Sequence, residues 1–309
     1  MTNNVYLVWL EWPEKCFRVN AASLAVLQSL VGGRGRVVRV RGEREFLRRL
    51  PEATHAIVWN FREEWFGLAP RLVLLATPAA GRELLPSSAP DRVKMHFGHF
   101  HGAIMAESVA AFVLAWAHGF FRPELRKPWP RVELSDKCRE VAGTRAVVVG
   151  YGNVGRAIGA KLGALGVDVT GVTSHGVFRG GRRVRGAALE KSFAAADWLV
   201  MALPSTTGTD DYLDAAKLRL LPRRAVVINV GRGNSVDEKA LYAALKSRRI
   251  AGAYLDVRKN EHTVTLPVFG SNAAELAALD NCITTPHSSA FSPRYLEYCF
   301  RELSVDGCL

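Results

Sequence analysis

Residues 145–149 read Arg-Ala-Val-Val-Val and run directly into Gly150-Tyr151-Gly152-Asn153-Val154-Gly155, after which an amphipathic stretch extends over 153–165. A buried strand, a glycine turn and a helix in immediate succession fit a βαβ unit. The glycines there serve a tight turn, close backbone approach by a ligand and close packing of helix on strand. The first N–H groups of such a helix, at its positive end, suit phosphate oxygens. The motif therefore points to a pyrophosphate-bearing dinucleotide. Gly150, Tyr151, Gly152, Asn153, Val154 and Gly155 are its candidate contacts.

The surrounding chain keeps the same α/β rhythm. Strand-like runs at 145–149, 167–172, 198–203, 225–230, 250–256 and 282–285 alternate with helical patterns that include 153–165, 187–196 and 237–248. Six strands with crossovers predict one doubly wound parallel sheet, which binds ligands beyond the carboxyl ends of its strands. The first hundred residues predict a second parallel sheet, with strands at 5–10, 36–40, 56–59 and 72–76 and helices at 21–31 and 43–50. A long apolar helix is expected over 102–121, then a polar, proline-rich surface excursion over 122–139. Phe112, Trp116 and Phe120 recur at helical spacing and fit core or a subunit surface. The domains are expected at 1–103 plus 286–309, and at 104–285. A length of 309 residues suits two domains.

Composition removes several classes of function. The best membrane candidate, 103–121, is interrupted by Glu107, Ser108 and His118, so no span is expected. The N-terminus lacks a basic flank and a long apolar run, so it does not read as a secretion signal. The five cysteines form no Cys-x-x-Cys pair, which fits a reducing cytoplasm. The net charge is +12, but the arginines are scattered and no RNA-binding aromatic signature or zinc-finger spacing accompanies them. Nucleic acid is therefore not the expected partner, whereas a phosphate-bearing cofactor or substrate fits.

The second strand after the glycines bears on the choice of dinucleotide. A carboxylate at its end binds an NAD ribose 2′-hydroxyl. Here that strand ends in Thr173-Ser174-His175, and Asp168 stands at its start, the far end from a ligand. Arg179, Arg182, Arg183 and Arg185 follow. Hydroxyls and guanidinium groups suit a 2′-phosphate, so Thr173, Ser174, Arg179 and Arg182 predict NADP(H), with NAD as the alternative.

Further strand ends carry Ala202-Leu203-Pro204-Ser205-Thr206-Thr207, Asn229-Val230-Gly231-Arg232-Gly233, Leu255-Asp256-Val257 followed by Glu261, and Thr285-Pro286-His287. With Met105-Ala106-Glu107 at the start of the long helix, these motifs occur in the order found in the D-isomer-specific 2-hydroxyacid dehydrogenases, which the chain resembles, most specifically over 102–290. The resemblance implies a Rossmann doubly wound sheet beside a smaller flavodoxin-like α/β substrate domain, with the active site in the cleft between them. It implies Arg232 as the cation for a substrate carboxylate, His287 as the proton donor to the carbonyl oxygen, and Glu261 as its orienting carboxylate. Leu203, Pro204, Thr206, Val230, Gly231 and Asp256 would contact the cofactor, Asp256 through the nicotinamide carboxamide. A homodimer is implied by the resemblance alone.

The sequence departs from the family pattern in two places. His262 follows Glu261 where the family usually has proline, although 266–269 resembles the next apolar segment. The loop that grips the substrate carboxylate reads Thr77-Pro78-Ala79-Ala80-Gly81-Arg82, without the usual Gly-x-Asp or Gly-x-Asn. Ala80 and Gly81 still offer backbone donors, and Arg82 adds a charge suited to a second carboxylate or a phosphate. His96, His99 and His101 cluster in HFGHFHG. With no carboxylate in that stretch, a packing or cleft role is expected and no metal site. The expected function is NADPH-dependent reduction of a small 2-oxo acid such as glyoxylate or hydroxypyruvate. The alternatives are a dehydrogenase of a larger or phosphorylated 2-hydroxy acid, or a non-enzymatic, dinucleotide-sensing corepressor-like protein.

Overall fold

The computed structural model describes residues 4–179, 182–184, 189–259, 261 and 273–309. The chain divides into two compact units, Met1–His101 with Phe291–Leu309, and Gly102–Ala290.

In the first unit, β1 (Asn4–Trp9), α1 (Ala21–Val31), β2 (Gly35–Arg39), α2 (Glu43–Arg49), β3 (His55–Val58), β4 (Leu74–Thr77) and β5 (Lys94–Phe97) follow in order. All strand pairs are parallel and the order is β2-β1-β3-β4-β5, the flavodoxin-like arrangement. Helix α1 begins where Asn20 accepts from the Ser23 N–H at 2.8 Å and the Asn20 N–H donates to the Ser23 hydroxyl at 3.1 Å, a reciprocal cap. Leu7, Phe46, Trp65 and Leu75 lie in the core. The helix Tyr295–Val305 returns the chain to this unit and packs against α1.

The second unit runs α3 (Gly102–Ala117), α4 (Arg131–Leu134), β6 (Arg145–Val149), α5 (Asn153–Ala164), β7 (Asp168–Thr173), β8 (Gly176–Arg179), β9 (Arg182–Val184), α6 (Leu189–Ala195), β10 (Trp198–Met201), α7 (Ala215–Leu220), β11 (Val226–Asn229), α8 (Glu238–Lys246), β12 (Gly252–Leu255), α9 (Ala273–Ala277) and β13 (Cys282–Thr284). The sheet order is β13-β12-β11-β10-β6-β7-β8-β9. From β7 to β13 the pairing is parallel, a Rossmann-type sheet with apolar clusters on its two faces. After β6 the chain crosses to β7 on one side and later to β10 on the other, which puts the switch point at the end of β6. Phe112 is buried and stacks on Tyr254 at 4.7 Å, while Phe120 is exposed.

Three features differ from the sequence expectation. Strand β5, Lys94-Met95-His96-Phe97, alternates polar and apolar residues over only four positions, too short a run to stand out in the sequence. As a short edge strand its partner β4 defines it more than its own pattern does. Beyond β7 the chain forms an antiparallel hairpin, β8 and β9, where an arginine-bearing loop at the ligand end was expected. Finally, residues 286–290 belong to the second unit and not to the first, because Asp256 holds them. Its carbonyl accepts from the His287 N–H at 2.8 Å, and its carboxylate accepts from the Ser288 and Ser289 N–H groups at 2.8 and 3.1 Å.

Candidate active site

The glycine turn sits at the switch point. Gly150 has φ +90°, and a Cβ there would stand 2.5 Å from the Ala202 carbonyl oxygen, so only glycine closes this turn beside the β10 exit. At Gly152, the N-cap of α5, nothing lies within 4 Å of where a Cβ would be. An open backbone at the positive end of a 12-residue helix fits a pyrophosphate. The Gly150 and Tyr151 N–H groups both donate to the Val172 carbonyl, and the Tyr151 ring lies against Gly171 and Gly159. The Tyr151 ring is thus packed within the unit and its N–H is taken by Val172, while the first turn of α5, from Gly152 onward, offers backbone N–H groups suited to phosphate.

At the end of β7, the Thr173 hydroxyl accepts from the His175 N–H at 3.1 Å and donates to the Gly176 carbonyl at 3.3 Å, forming the hairpin turn. Ser174 and His175 are exposed there, and Asp168 is the first residue of β7, as expected. The register corrects the reading of the arginines. Arg179 pairs with Thr170 and Arg182 with Arg179, which carries both backbones about 10 Å back from the ligand end of β7. Arg183 pairs with Phe178, while Arg185, His262 and 266–269 lie outside the described residues. Thr206 caps the short turn Thr207–Thr209, and Leu203 packs partly into the core. Val230 is buried, so only its backbone can meet a ligand.

The β11 exit is pinned by two buried side chains. The Asn229 amide donates to the Arg232 carbonyl at 3.1 Å and accepts from the Gly231 N–H at 3.1 Å, while the Ser235 hydroxyl donates to the same Arg232 carbonyl at 2.7 Å. Asn229 and Ser235 fix the backbone from which the Arg232 guanidinium extends. Sequence reading had passed Ser235 over because a serine in a polar loop carries no signal of burial. Gly233 lies against the backbone of Arg258, where a Cβ would come within 1.9 Å, so the Arg232 and Glu261 loops interlock.

His287 adopts φ +52°, a left-handed conformation that a non-glycine residue holds only when its surroundings impose it. Asp256 imposes it through the bonds to 287–289, and the Thr285 hydroxyl donates to the same carboxylate. Asp256 is 1% exposed. With these bonds it positions 285–289, and a role toward the nicotinamide carboxamide rests on the family resemblance alone. The imidazole Nδ1 stands 2.8 Å from Glu261 Oε1, and Glu261 Oε2 accepts from the Arg258 N–H at 3.2 Å. The hydrogen bond to Glu261 raises the His287 pKa from its ordinary value. Burial opposes this, the Glu261 and Asp256 charges reinforce it, and the Arg232 charge again opposes it. Arg232, Asp256, Glu261 and His287 thus come together in the second unit.

In the first unit, Ala80, Gly81 and Arg82 follow β4, and the exposed Arg82 guanidinium lies over the Phe97 ring at 4.9 Å. His101 is buried, with Nε2 2.8 Å from the Tyr295 hydroxyl, a packing role. The expectation that no carboxylate joins the histidines is overturned. Glu302 lies 3.1 Å from His96 Nε2 and 3.4 Å from His99 Nδ1, and Asp306 also reaches both rings. These carboxylates come from the C-terminal helix and the residue just past it, more than 200 positions on, beyond any local motif.

A glycine turn at a Rossmann-type switch point, with a guanidinium and a carboxylate-held imidazole on later strand ends, is the build of a dinucleotide-dependent oxidoreductase. A family model described as D-isomer specific 2-hydroxyacid dehydrogenase, NAD binding domain, matches residues 112–289, and the chain belongs to that family. It is 34% identical over 255 residues to the glycerate dehydrogenase of Methylorubrum extorquens, covering 79% of this chain and 78% of that protein. It is 32% identical over 248 residues to the glyoxylate reductase of Pyrococcus furiosus, covering 75% of this chain and 71% of that one. The match to D-3-phosphoglycerate dehydrogenase 1 of Saccharomyces cerevisiae is 30% over 164 residues, 52% of this chain, and spans about a third, 34%, of the yeast protein. The crystal structure of a family member from Xanthobacter autotrophicus Py2 in complex with NADPH and MES superposes with a TM-score of 0.68 at 28% identity, covering 97% of this chain and 96% of that one.

Proposed function

We propose that the protein reduces a small 2-oxo acid, glyoxylate or hydroxypyruvate, to the D-2-hydroxy acid with NADPH. The observation that carries this is the 2.8 Å pair between Glu261 and His287 beside the Arg232 charge. A bound nicotinamide supplies the hydride. The chain's own residues do the rest. The Arg232 guanidinium pairs with the substrate carboxylate and polarises the carbonyl, and protonated His287 gives its proton to the carbonyl oxygen as charge develops there. In oxidation His287 takes that proton back. Glu261 keeps the ring oriented and favours its protonated form. The relatives named glycerate dehydrogenase and glyoxylate reductase favour the small substrates.

NADPH is the preferred form because no carboxylate stands at the end of β7, where Thr173 and Ser174 leave room for a 2′-phosphate. The second unit is the cofactor domain and the first the substrate domain. Exposed Phe120, Leu125, Trp129 and Val132, all within residues 120–132 of the second unit, suit a homodimer surface. A phosphorylated substrate is the second reading, favoured by the exposed Arg82. No helix among the described residues is long and apolar enough to cross a membrane, and all five cysteines are free, as in a reducing cytoplasm.

The test is NADPH and NADH oxidation over glyoxylate, hydroxypyruvate, pyruvate, phenylpyruvate and phosphohydroxypyruvate. Turnover of a small 2-oxo acid with higher kcat/KM for NADPH is expected. No turnover of any, or turnover retained in Arg232→Ala, would overturn the reading. Preference for the phosphorylated acid, reduced in Arg82→Ala, would select the second one.

A further inference from the structure

The first unit brings two imidazoles and two carboxylates into one cluster that the reduction chemistry does not use. His96 lies on β5 and His99 two residues past it, while Glu302 and Asp306 stand four positions apart on the C-terminal helix and the residue after it. The four imidazole–carboxylate separations are 3.1, 3.4, 3.6 and 3.8 Å, and one ligand atom from each side chain lies within 4.8 Å of the others. One ion would take one nitrogen from each ring and one oxygen from each carboxylate. Donors about 2.0–2.1 Å from a zinc-like ion stand about 3.3 Å apart, so atoms already within 4.8 Å of one another need only turn inward to meet it.

Each ring faces both carboxylates, so an ion seated among them would meet imidazole nitrogen and carboxylate oxygen together. The cluster has an inner and an outer pair. His96 and Glu302 side chains are 8% and 6% exposed, whereas His99 and Asp306 are 54% and 31% exposed, which gives an ion a route in. The His99 N–H donates to both Glu302 oxygens at 3.1 Å and orients that carboxylate, as supporting bonds do around metal ligands. Behind His96, the buried Cys308 sulfur lies 3.8 Å from Nδ1. Imidazoles beside a thiol favour zinc-class ions over calcium or magnesium, which take oxygen shells.

We propose that His96, His99, Glu302 and Asp306 bind one divalent transition-metal ion of the zinc class, which clamps the C-terminal helix to the end of β5. Binding only the folded state, the ion stabilises the unit without entering the hydride-transfer chemistry. The test is titration of the chelator-stripped full chain with cobalt(II) as a spectroscopic probe, then with zinc. One equivalent of cobalt with four-coordinate visible absorption is expected, displaced by zinc, with a thermal midpoint several degrees higher in zinc. His99→Asn and Asp306→Asn change the exposed ligands and leave the fold intact. Each should weaken binding about tenfold or more, while His287→Ala leaves it unchanged. Binding unaffected by the first two changes would overturn the assignment. So would the absence of both the absorption and the thermal shift at excess metal, leaving the cluster a packing contact between β5 and the last helix.

Discussion

The two units place carboxylates against imidazoles in opposite ways. In the second, one carboxylate, Glu261, takes one nitrogen of one ring, His287, at 2.8 Å. In the first, Glu302 and Asp306 each face both His96 and His99, so both nitrogens of both rings point at oxygens. One carboxylate orienting one ring suits a general acid, whereas two carboxylates set across two rings suit balancing charge or ligating a cation. A fourth histidine, His55, has no carboxylate partner among the described residues. It is buried against Tyr6, stacked at 4.3 Å, and burial pushes its pKa down to about 4, so it stays neutral.

The sharpest break between the two clusters is His287→Ala. Loss of the proton donor should lower kcat/KM for 2-oxo acid reduction by about 10²–10⁴-fold, while the thermal midpoint hardly moves because the ring is half exposed. His99→Asn should do the reverse, sparing turnover. If steady-state kinetics show His99→Asn as damaging as His287→Ala, the division of roles fails.

Glu261→Gln comes next. Since the hydrogen bond to Glu261 raises the His287 pKa, wild-type enzyme keeps its acid protonated to a higher pH, and reduction declines as pH rises through that raised value. Glutamine removes the charge, so kcat should drop about tenfold or more and the alkaline limb of the kcat/KM profile should move to lower pH. The linkage has the same sign. The stability drawn from this pair is full below the ordinary histidine pKa and disappears as pH rises through the folded value. An unmoved alkaline limb would reduce Glu261 to a steric support.

Asp256→Ala separates positioning from chemistry. It leaves the buried Ser289 N–H without its acceptor and frees His287 from its left-handed turn, a cost of about 2–3 kcal/mol. Both kcat and the denaturant midpoint should fall while KM for NADPH stays within a few fold of wild type. A large rise in KM for NADPH at unchanged stability would point to the carboxamide contact inferred from family resemblance.

These residues also mark where sequence patterns carry information and where they do not. The α1 helix and the β6–glycine–α5 unit were legible because cap, strand and turn chemistry are local. The order of motifs on strand ends placed Arg232, Glu261 and His287. What stayed hidden depends on register or on distant chain. Arg179 and Arg182 have the composition of a phosphate loop, yet hairpin pairing carries their backbones away from the strand end. Asp256 looks like a ligand contact at a strand terminus, and only three-dimensional proximity to 285–289 shows that its carboxylate also holds that segment. The Glu302 and Asp306 partners of the HFGHFHG cluster follow from the docking of the last helix, which no periodicity encodes.

The smallest effect tests His55. The His55 pKa lies below the ordinary 6.5, at about 4, so on acidification the unfolded chain binds a proton first. Stability drawn from the neutral ring is therefore complete above about pH 6.5 and is lost as pH falls toward the folded value. The loss should be about 1–3 kcal/mol once partial screening is allowed for. His55→Phe keeps a ring against Tyr6, and Thr54, whose hydroxyl also bonds the Val5 N–H at 2.8 Å, stays satisfied. In denaturant titrations between pH 4.5 and 7, the wild type should lose stability on acidification, and the phenylalanine variant should lose measurably less. Parallel curves would show that the acid sensitivity resides in other groups, and His55 would then be an ordinary core residue with no part in the contrast between the units.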